Sequence, residues 1–248
     1  MLARAWGIAR SLVMYHGQPG RHGRLVRFYG EFLEPGDVGF DIGAHVGSRV
    51  RAWRALGVRV VAVEPQPDCL RVLRFFFGRD RGVAIEPTAV GAEPGRAQLG
   101  ISSATPTVSS MSTEWIGSVT ADRSFSKVRW DHVVDVEVVT LDQLIAKHGA
   151  PAFCKIDVEG FEADVLAGLT QAVAALSFEY LPPAHDAALA VLQRVEELGD
   201  YEYNYSPVET MRFASDRWLG AGELVAELDR RRPLGRSGDV YARRIRGG

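Results

Sequence analysis

The chain predicts an α/β fold: a doubly wound, mostly parallel sheet with helices on both faces and an N-terminal helical cap. Three observations carry this. Short apolar or β-branched runs alternate with helix-length segments from Val38 to Ala89, and such alternation builds parallel strands joined by right-handed crossovers. The first run turns into a helix through glycines, in Asp41-Ile42-Gly43-Ala44-His45-Val46-Gly47. The second, Val60-Val61-Ala62-Val63-Glu64-Pro65, ends in an acid 17 residues past Gly47.

The elements follow in order. Residues 2–15 carry Arg4 and Arg10 among Leu2, Trp6, Ala9, Leu12 and Val13. They lack the continuous apolar core and small-residue cleavage site of a signal peptide. They read as a helix laid on the domain, with a membrane-surface helix as the competing reading. Residues 1–34 are expected to form this cap and 35–248 the main domain. Glu34-Pro35-Gly36-Asp37 is a turn, and 38–41 a short strand. A helix over 46–56 ends at Gly57, and a second strand runs over 58–64. Asp68 is expected to cap a helix to Phe77, closed by Gly78. The third strand, 83–85, is expected to continue into Thr88-Ala89-Val90. Residues 100–131 break the rhythm: they are rich in Ser and Thr, with Trp115, Phe125 and Trp130 scattered through them. A long loop of this kind reads as a lid or substrate loop. Strands are expected at 133–139, 153–157, 175–180, 201–205 and 240–245, with helices at 141–148, 160–167 and 186–198.

The bulk properties set bounds. A length of 248 residues suits one large domain, and 46% hydrophobic with 24% charged residues suits a globular one. The net charge of −2 gives no global field favouring nucleic acid. No apolar run approaches the ~18 residues of a membrane span, so no stable membrane insertion is expected. Cys69 and Cys154 lack a metal-ligand spacing. They read as structural thiols of a reducing compartment, hence a cytoplasmic protein.

Glycines at a strand–helix turn, followed by an acid-tipped strand, suit an adenosine-containing cofactor. The backbone approaches the ligand closely, the helix N-terminus offers N–H groups, and the acid accepts from both ribose hydroxyls. A dinucleotide site wants G-x-G-x-x-G; here the pattern is D-x-G-x-x-x-G. Asp41 would repel a pyrophosphate and attract an ammonium, which S-adenosylmethionine (SAM) carries beside its sulfonium. The cofactor expected is therefore SAM, with a nicotinamide-dependent oxidoreductase as the rival.

A second constellation is Lys155-Ile156-Asp157-Val158-Glu159-Gly160. In a doubly wound sheet, ligands bind beyond the carboxyl ends of the strands at the topological switch point. Asp157 would then stand beside Asp41 and Gly43, with Lys155 and Asp157 on one strand face. In a competing reading, Asp157 and Glu159 merely cap the next helix and Lys155 is their counter-ion.

Through these residues the chain resembles the FkbM family of SAM-dependent methyltransferases. Pro35-Gly36-Asp37 leads into 38–47; then come Val63-Glu64-Pro65, Ala89-Val90-Gly91, Thr140-Leu141-Asp142 and Lys155 to Gly160. Phe161-Glu162, Val165-Leu166 and Gly168 complete a K-I-D-V-E-G-x-E-x-x-V-L-x-G signature, and Glu179 closes the next strand. The resemblance implies a seven-stranded class I methyltransferase fold with an antiparallel last strand. It also implies O-methylation of a hydroxyl on a secondary metabolite, sugar or glycolipid. The chain departs from the family at His45, where Asn is usual; histidine also donates hydrogen bonds. No motif covers 100–131.

The expected cofactor residues are Asp41 at the methionine amino group, Gly43, Ala44, His45 and Gly47 in the turn, and Glu64 and Pro65 at the ribose. Thr88 and Ala89 are placed at the adenine. Methyl transfer from a sulfonium needs mainly alignment, plus a base for the hydroxyl proton. Asp157 is the first candidate, Glu159 the second, and Lys155 belongs to the same catalytic group. His45 and His132 are further candidates; His16, His22, His148 and His185 read as surface residues. No metal is assigned, although Asp157, Glu159 and Glu179 make an oxygen ligand set for a divalent cation. A SAM-binding scaffold without catalysis is the remaining alternative.

Overall fold

The computed structural model describes residues 2–102 and 131–245. Helices α1 (Leu2–His16) and α2 (Arg21–Tyr29) come first. Then follow β1 (Val38–Ile42), α3 (Ser48–Ala55), β2 (Arg59–Val63), α4 (Pro67–Phe77) and β3 (Val83–Glu86). Next come β4 (Ala89–Val90), β5 (Gly95–Ile101) and β6 (His132–Val139). The chain returns through α5 (Leu141–His148), β7 (Phe153–Ile156), α6 (Glu162–Ala167) and β8 (Ala175–Tyr180). It finishes with α7 (His185–Leu198), β9 (Tyr201–Pro207), α8 (Ala221–Arg231) and β10 (Gly238–Arg244).

Seven strands form one sheet in the order β3-β2-β1-β7-β8-β10-β9. All neighbours are parallel except β10, which runs antiparallel to β8 and β9. This is the class I methyltransferase architecture. Both faces are covered, so β1 is buried along its whole length. Phe40 and Ile42 pack one face with Leu144, Val165 and Phe178. The other face holds Tyr29, Trp53, Phe153 and Tyr241, all fully buried. Trp53 alone is a site where truncation to alanine costs roughly 3–5 kcal/mol. Among the described residues no helix is long and apolar enough to cross a membrane. Cys69 and Cys154 are free and buried.

Several expectations need correction. Thr88-Ala89-Val90 does not extend the third strand. The chain turns at Pro87, and Ala89–Val90 joins a second sheet, β4-β6-β5. Asp68 is not the cap of α4: Gln66 holds that position, Pro67 opens the helix, and Asp68 pairs with Arg71 at 2.6 Å. The helix expected from Gly160 begins at Glu162. Helices α2 and α8 and strand β5 were not expected. Most of the segment expected as a lid, 100–131, lies outside the described residues; Gly100 and Ile101 end β5.

Candidate active site

The order in which the chain lays down its parallel strands reverses between β1 and β7. Asp41 and Lys155 are register partners there, as are Ile42 and Ile156. The turn after β1 is held by Gly43 and Ala44 N–H groups, which both donate to Val63 O (2.9 and 3.0 Å). Gly43 has φ 83°, and a Cβ there would lie 1.9 Å from the Asp157 carbonyl oxygen. Glycine is thus what lets the β1 turn close on the end of β7. His45 follows with φ 48°, in the left-handed region that Asn and His enter more readily than most residues. That accounts for histidine standing where the family has asparagine. Gly47, also left-handed, does not line the cleft. A Cβ there would meet Phe77 at 2.5 Å and Leu73 at 2.9 Å, so its role is to seat α4 against α3.

The turn opens onto a cleft of about 830 Å³, part of it open to solvent. Of the residues expected from the sequence, Gly43, Ala44, His45, Glu64, Pro65, Thr88, Ala89, Asp157 and Glu159 line it. Asp41, Gly47 and Lys155 do not. The Glu64 carboxylate accepts from His45 N and Gln66 N, both at 2.8 Å. Burial nevertheless pushes its carboxyl up to about 7 against these two bonds. A carboxylate has about four acceptor positions, so two remain for a ligand. Asp41 lies behind the wall, buried, and burial raises it to about 6. Its Oδ2, His45 Nε2 and Thr88 Oγ1 are buried and find no hydrogen-bond partner among the described residues. Such orphans cost about 1–3 kcal/mol each; His45 and Thr88 line the cleft and Asp41 stands directly behind its wall. A ligand with an amino group, a diol and a heteroaromatic base fits these donors and acceptors, as SAM does.

A second hollow of about 480 Å³ adjoins the cleft. Tyr15, Arg49, Asp157 and Glu159 line both; Glu179, Glu209 and Asp239 line the second alone. Lys155 is fully buried beneath it, donating to Asp157 Oδ2 at 2.9 Å and reaching Asp239 Oδ1 at 3.2 Å. Arg49 Nη2 lies 3.8 Å from Asp157 and 3.3 Å from Glu209. Burial pushes the Asp157 carboxyl up, but Lys155 and Arg49 outweigh it and hold it below the usual carboxylate range. Glu159 and Glu179 go the other way: burial, then the neighbouring acids, raise both well above that range. Oxygens of Asp157, Glu159 and Glu179 lie within 4.8 Å of one another, so the cation ligand set weighed from the sequence is spatially coherent.

The helix-capping reading of Asp157 and Glu159 fails. The N-cap of α6 is Phe161, without a side-chain cap. Glu162 instead accepts from Val158 N (3.1 Å) and Gly160 N (3.3 Å), fixing the turn that presents both acids. Glu159 sits at φ 54° in that turn, a conformation that non-glycine residues adopt at a cost. Lys155 touches neither cavity; its ammonium meets Asp157 and Asp239 from beneath.

Sequence reasoning missed Tyr15, Arg49, Glu209 and Asp239. Arg49 offered a signal, because a cation in the first turn of α3 opposes the helix dipole. Asp239 offered another, an acid beside the apolar run Val240-Tyr241-Ala242. The histidines also shift. His185 is buried, not on the surface, between Tyr180 (3.2 Å) and Asp229 (3.2 Å). His16 bonds Val46 O at 3.0 Å, and His148 bonds Glu86 at 2.8 Å. His132 is exposed and starts β6.

Solved structures of similar fold include the precorrin-6y C5,15-methyltransferase from Geobacter metallireducens GS-15. It is 12% identical, with 90% of this chain and 87% of that one covered and a TM-score of 0.47. The precorrin 8W decarboxylase of Methanobacterium thermoautotrophicum is 9% identical, with 88% of each chain covered and a TM-score of 0.45. The N-terminal domain of EvdMO1, solved in the presence of SAH and D-fucose, is 14% identical; 92% of this chain and 84% of that one are covered, with a TM-score of 0.41. No curated protein matches the chain. The family profile described as "Methyltransferase FkbM domain" matches residues 41–213, from the acid of the glycine turn to beyond the last cleft acid of that stretch. The chain therefore belongs to the FkbM methyltransferase family.

Proposed function

We propose that this chain is a SAM-dependent O-methyltransferase acting on a hydroxyl of an uncharged small molecule, sugar or glycolipid. The observation that carries the proposal is the junction of two cavities at Asp157. One has the acceptors and orphaned polar groups that suit SAM; the other is walled by Asp157, Glu159, Glu179, Glu209 and Asp239 against one cation, Arg49. With Glu159 and Glu179 raised toward their protonated forms, the wall offers donors as well as acceptors and suits the hydroxyls of an uncharged acceptor.

In this reading Glu64 holds the ribose diol through its two remaining acceptor positions. Thr88 and Ala89 face the adenine, His45 serves the methionine end, and Asp41 supports it from behind the wall. SAM supplies an already activated methyl group. Asp157 is ionised throughout the neutral range and accepts the hydrogen bond of the incoming hydroxyl, then its proton. Its low basicity limits the proton-transfer gain to the lower part of the usual ~10²–10⁴-fold, so alignment of the hydroxyl supplies the greater share. Lys155 and Arg49 fix the Asp157 carboxylate.

Calorimetry with S-adenosylhomocysteine, SAM and NAD tests the cofactor half of the proposal. S-adenosylhomocysteine and SAM should bind with one-to-one stoichiometry and NAD should not. Binding of NAD alone would return the chain to the oxidoreductase reading. Loss of turnover in Asp157→Asn with binding retained would separate an enzyme from a scaffold.

A further inference from the structure

Among the described residues nine large apolar side chains stand exposed, and five of them lie on two touching helices. Trp6, Val13 and Met14 belong to α1; Phe75 and Phe76 belong to α4. Trp6, Val13 and Phe75 are 69%, 71% and 83% exposed. Trp6, Arg10 and Val13 recur at i, i+4 and i+7, one outward stripe of α1. Gly7, Ser11 and Tyr15 form the inward stripe, and Tyr15 reaches the cleft. The two helices join where His16 stacks on Phe76, ring centroids 6.1 Å apart. Trp6 stands about 15 Å along α1 from that point at 1.5 Å per residue.

The charge around this band is mainly positive. Residues 1–30 contain Arg4, Arg10, Arg21, Arg24 and Arg27 and no acid, although the whole chain is net −2; of these, Arg21 is buried and paired with Glu209 at 2.6 Å. Arg10, Arg74, Arg79 and Arg81 are exposed. The nearby acids are engaged: Asp68 pairs with Arg71 at 2.6 Å, and Asp80 with Arg54 at 2.8 Å. An aromatic and aliphatic stripe flanked by arginines is the composition of a surface that lies in a lipid headgroup layer. The arginines complement anionic headgroups, and the net negative remainder of the chain turns this face toward them.

We propose that the α1–α4 face docks the protein reversibly on an anionic membrane surface. This goes beyond methyl transfer and does not depend on it. Taken with the proposed function, it places the cleft under α1 within reach of a hydroxyl on a lipid-borne acceptor.

The test is flotation of the full chain with vesicles of phosphatidylcholine, with and without phosphatidylglycerol, at low and high salt. Binding should require phosphatidylglycerol and weaken with salt. It should fall about tenfold or more in Phe75→Ser/Phe76→Ser and in Arg74→Ser/Arg79→Ser. It should persist in Leu234→Ser, an exposed apolar residue elsewhere on the chain. Tryptophan emission should shift to the blue on vesicle binding in wild type and lose that shift in Trp6→Phe. Circular dichroism and S-adenosylhomocysteine calorimetry establish that each variant is folded. Absence of flotation at low salt, wild-type binding by a folded Phe75→Ser/Phe76→Ser, or binding to duplex nucleic acid but not to vesicles would each overturn the proposal. No acceptor enters the assay, so a failed methyl transfer leaves its outcome readable.

Discussion

Replacing Glu64 with glutamine should weaken S-adenosylhomocysteine binding and remove its pH dependence together. The Glu64 oxygens accept from His45 N and Gln66 N at 2.8 Å each, and the ribose diol is the further pair of donors proposed. Glutamine keeps the shape but turns one acceptor into an –NH₂, which must then face a backbone N–H or a ribose hydroxyl. Hydrogen bonds to a charged group are worth about 1.5–3 kcal/mol, so the affinity loss should be about 10- to 150-fold. The pH behaviour is a separate check. With the free carboxyl near 7, roughly a tenth of it is ionised at pH 6 and nine tenths at pH 8. If the ligand needs the ionised form, affinity rises about tenfold across that interval. At pH 7 about half a proton should be released per ligand bound. Calorimetry in two buffers of different ionisation enthalpy reads both quantities. Equal affinity in a folded Glu64→Gln would refute the assignment of Glu64 to the ribose, and wild-type affinity that is flat from pH 6 to 8 would refute the raised Glu64 carboxyl.

Three further outcomes are expected. Asp157→Asn should hold S-adenosylhomocysteine affinity within a few-fold and cut turnover of a confirmed acceptor ~10²-fold or more; rescue by excess magnesium would move Asp157 into a cation site instead. Gly43→Ala should destabilise the fold by about 2–4 kcal/mol in urea, from left-handed strain plus a Cβ 1.9 Å from Asp157 O. Gly36→Ala, with φ 95° and open space around it, should cost only the strain, about 1–2 kcal/mol; equal losses would deny the close approach. The unliganded protein should lose stability as pH rises from about 4 to 7. Asp41 near 6, and Glu64 and Glu162 near 7, keep their protons in the folded state after the unfolded chain has lost its own, and together they outweigh His45, lowered by burial to about 4, which pulls the other way. Melting temperatures that climb over that range would contradict these three raised values.

The parts of the site legible in the sequence are those built from contiguous residues. Asp41 through Gly47, Glu64 and the Lys155–Gly160 run each lie within one strand and its following turn, so local pattern suffices to place them at the carboxyl ends of neighbouring strands. Gly47 was legible as a turn glycine but not as the seat of Phe77, since that contact is tertiary. Tyr15, Arg49, Glu209 and Asp239 meet Asp157 from four separate stretches of chain. Packing of α1 over the turn, of α3 on the sheet, and of β10 between β8 and β9 brings them there. Thr88 lines the cleft, but not as the end of the third strand: Pro87 ends one sheet and the next strand belongs to another. Helix α8 was readable from Leu224 and Leu228, buried at i and i+4. His185 was not readable, because its burial depends on Tyr180 and Asp229 from other elements.

The central claim is methyl transfer from SAM to an oxygen, and labelled-methyl transfer tests it most directly. The protein is incubated with methyl-labelled SAM and an extract of its own cell, and the labelled product is identified by mass spectrometry and NMR. The account predicts a product carrying one new methyl group on a hydroxyl oxygen of an uncharged molecule or lipid-linked sugar, formed by wild type and lost with Asp157→Asn. Label on nitrogen or carbon would contradict it, and equal labelling by wild type and Asp157→Asn would contradict Asp157 as the base.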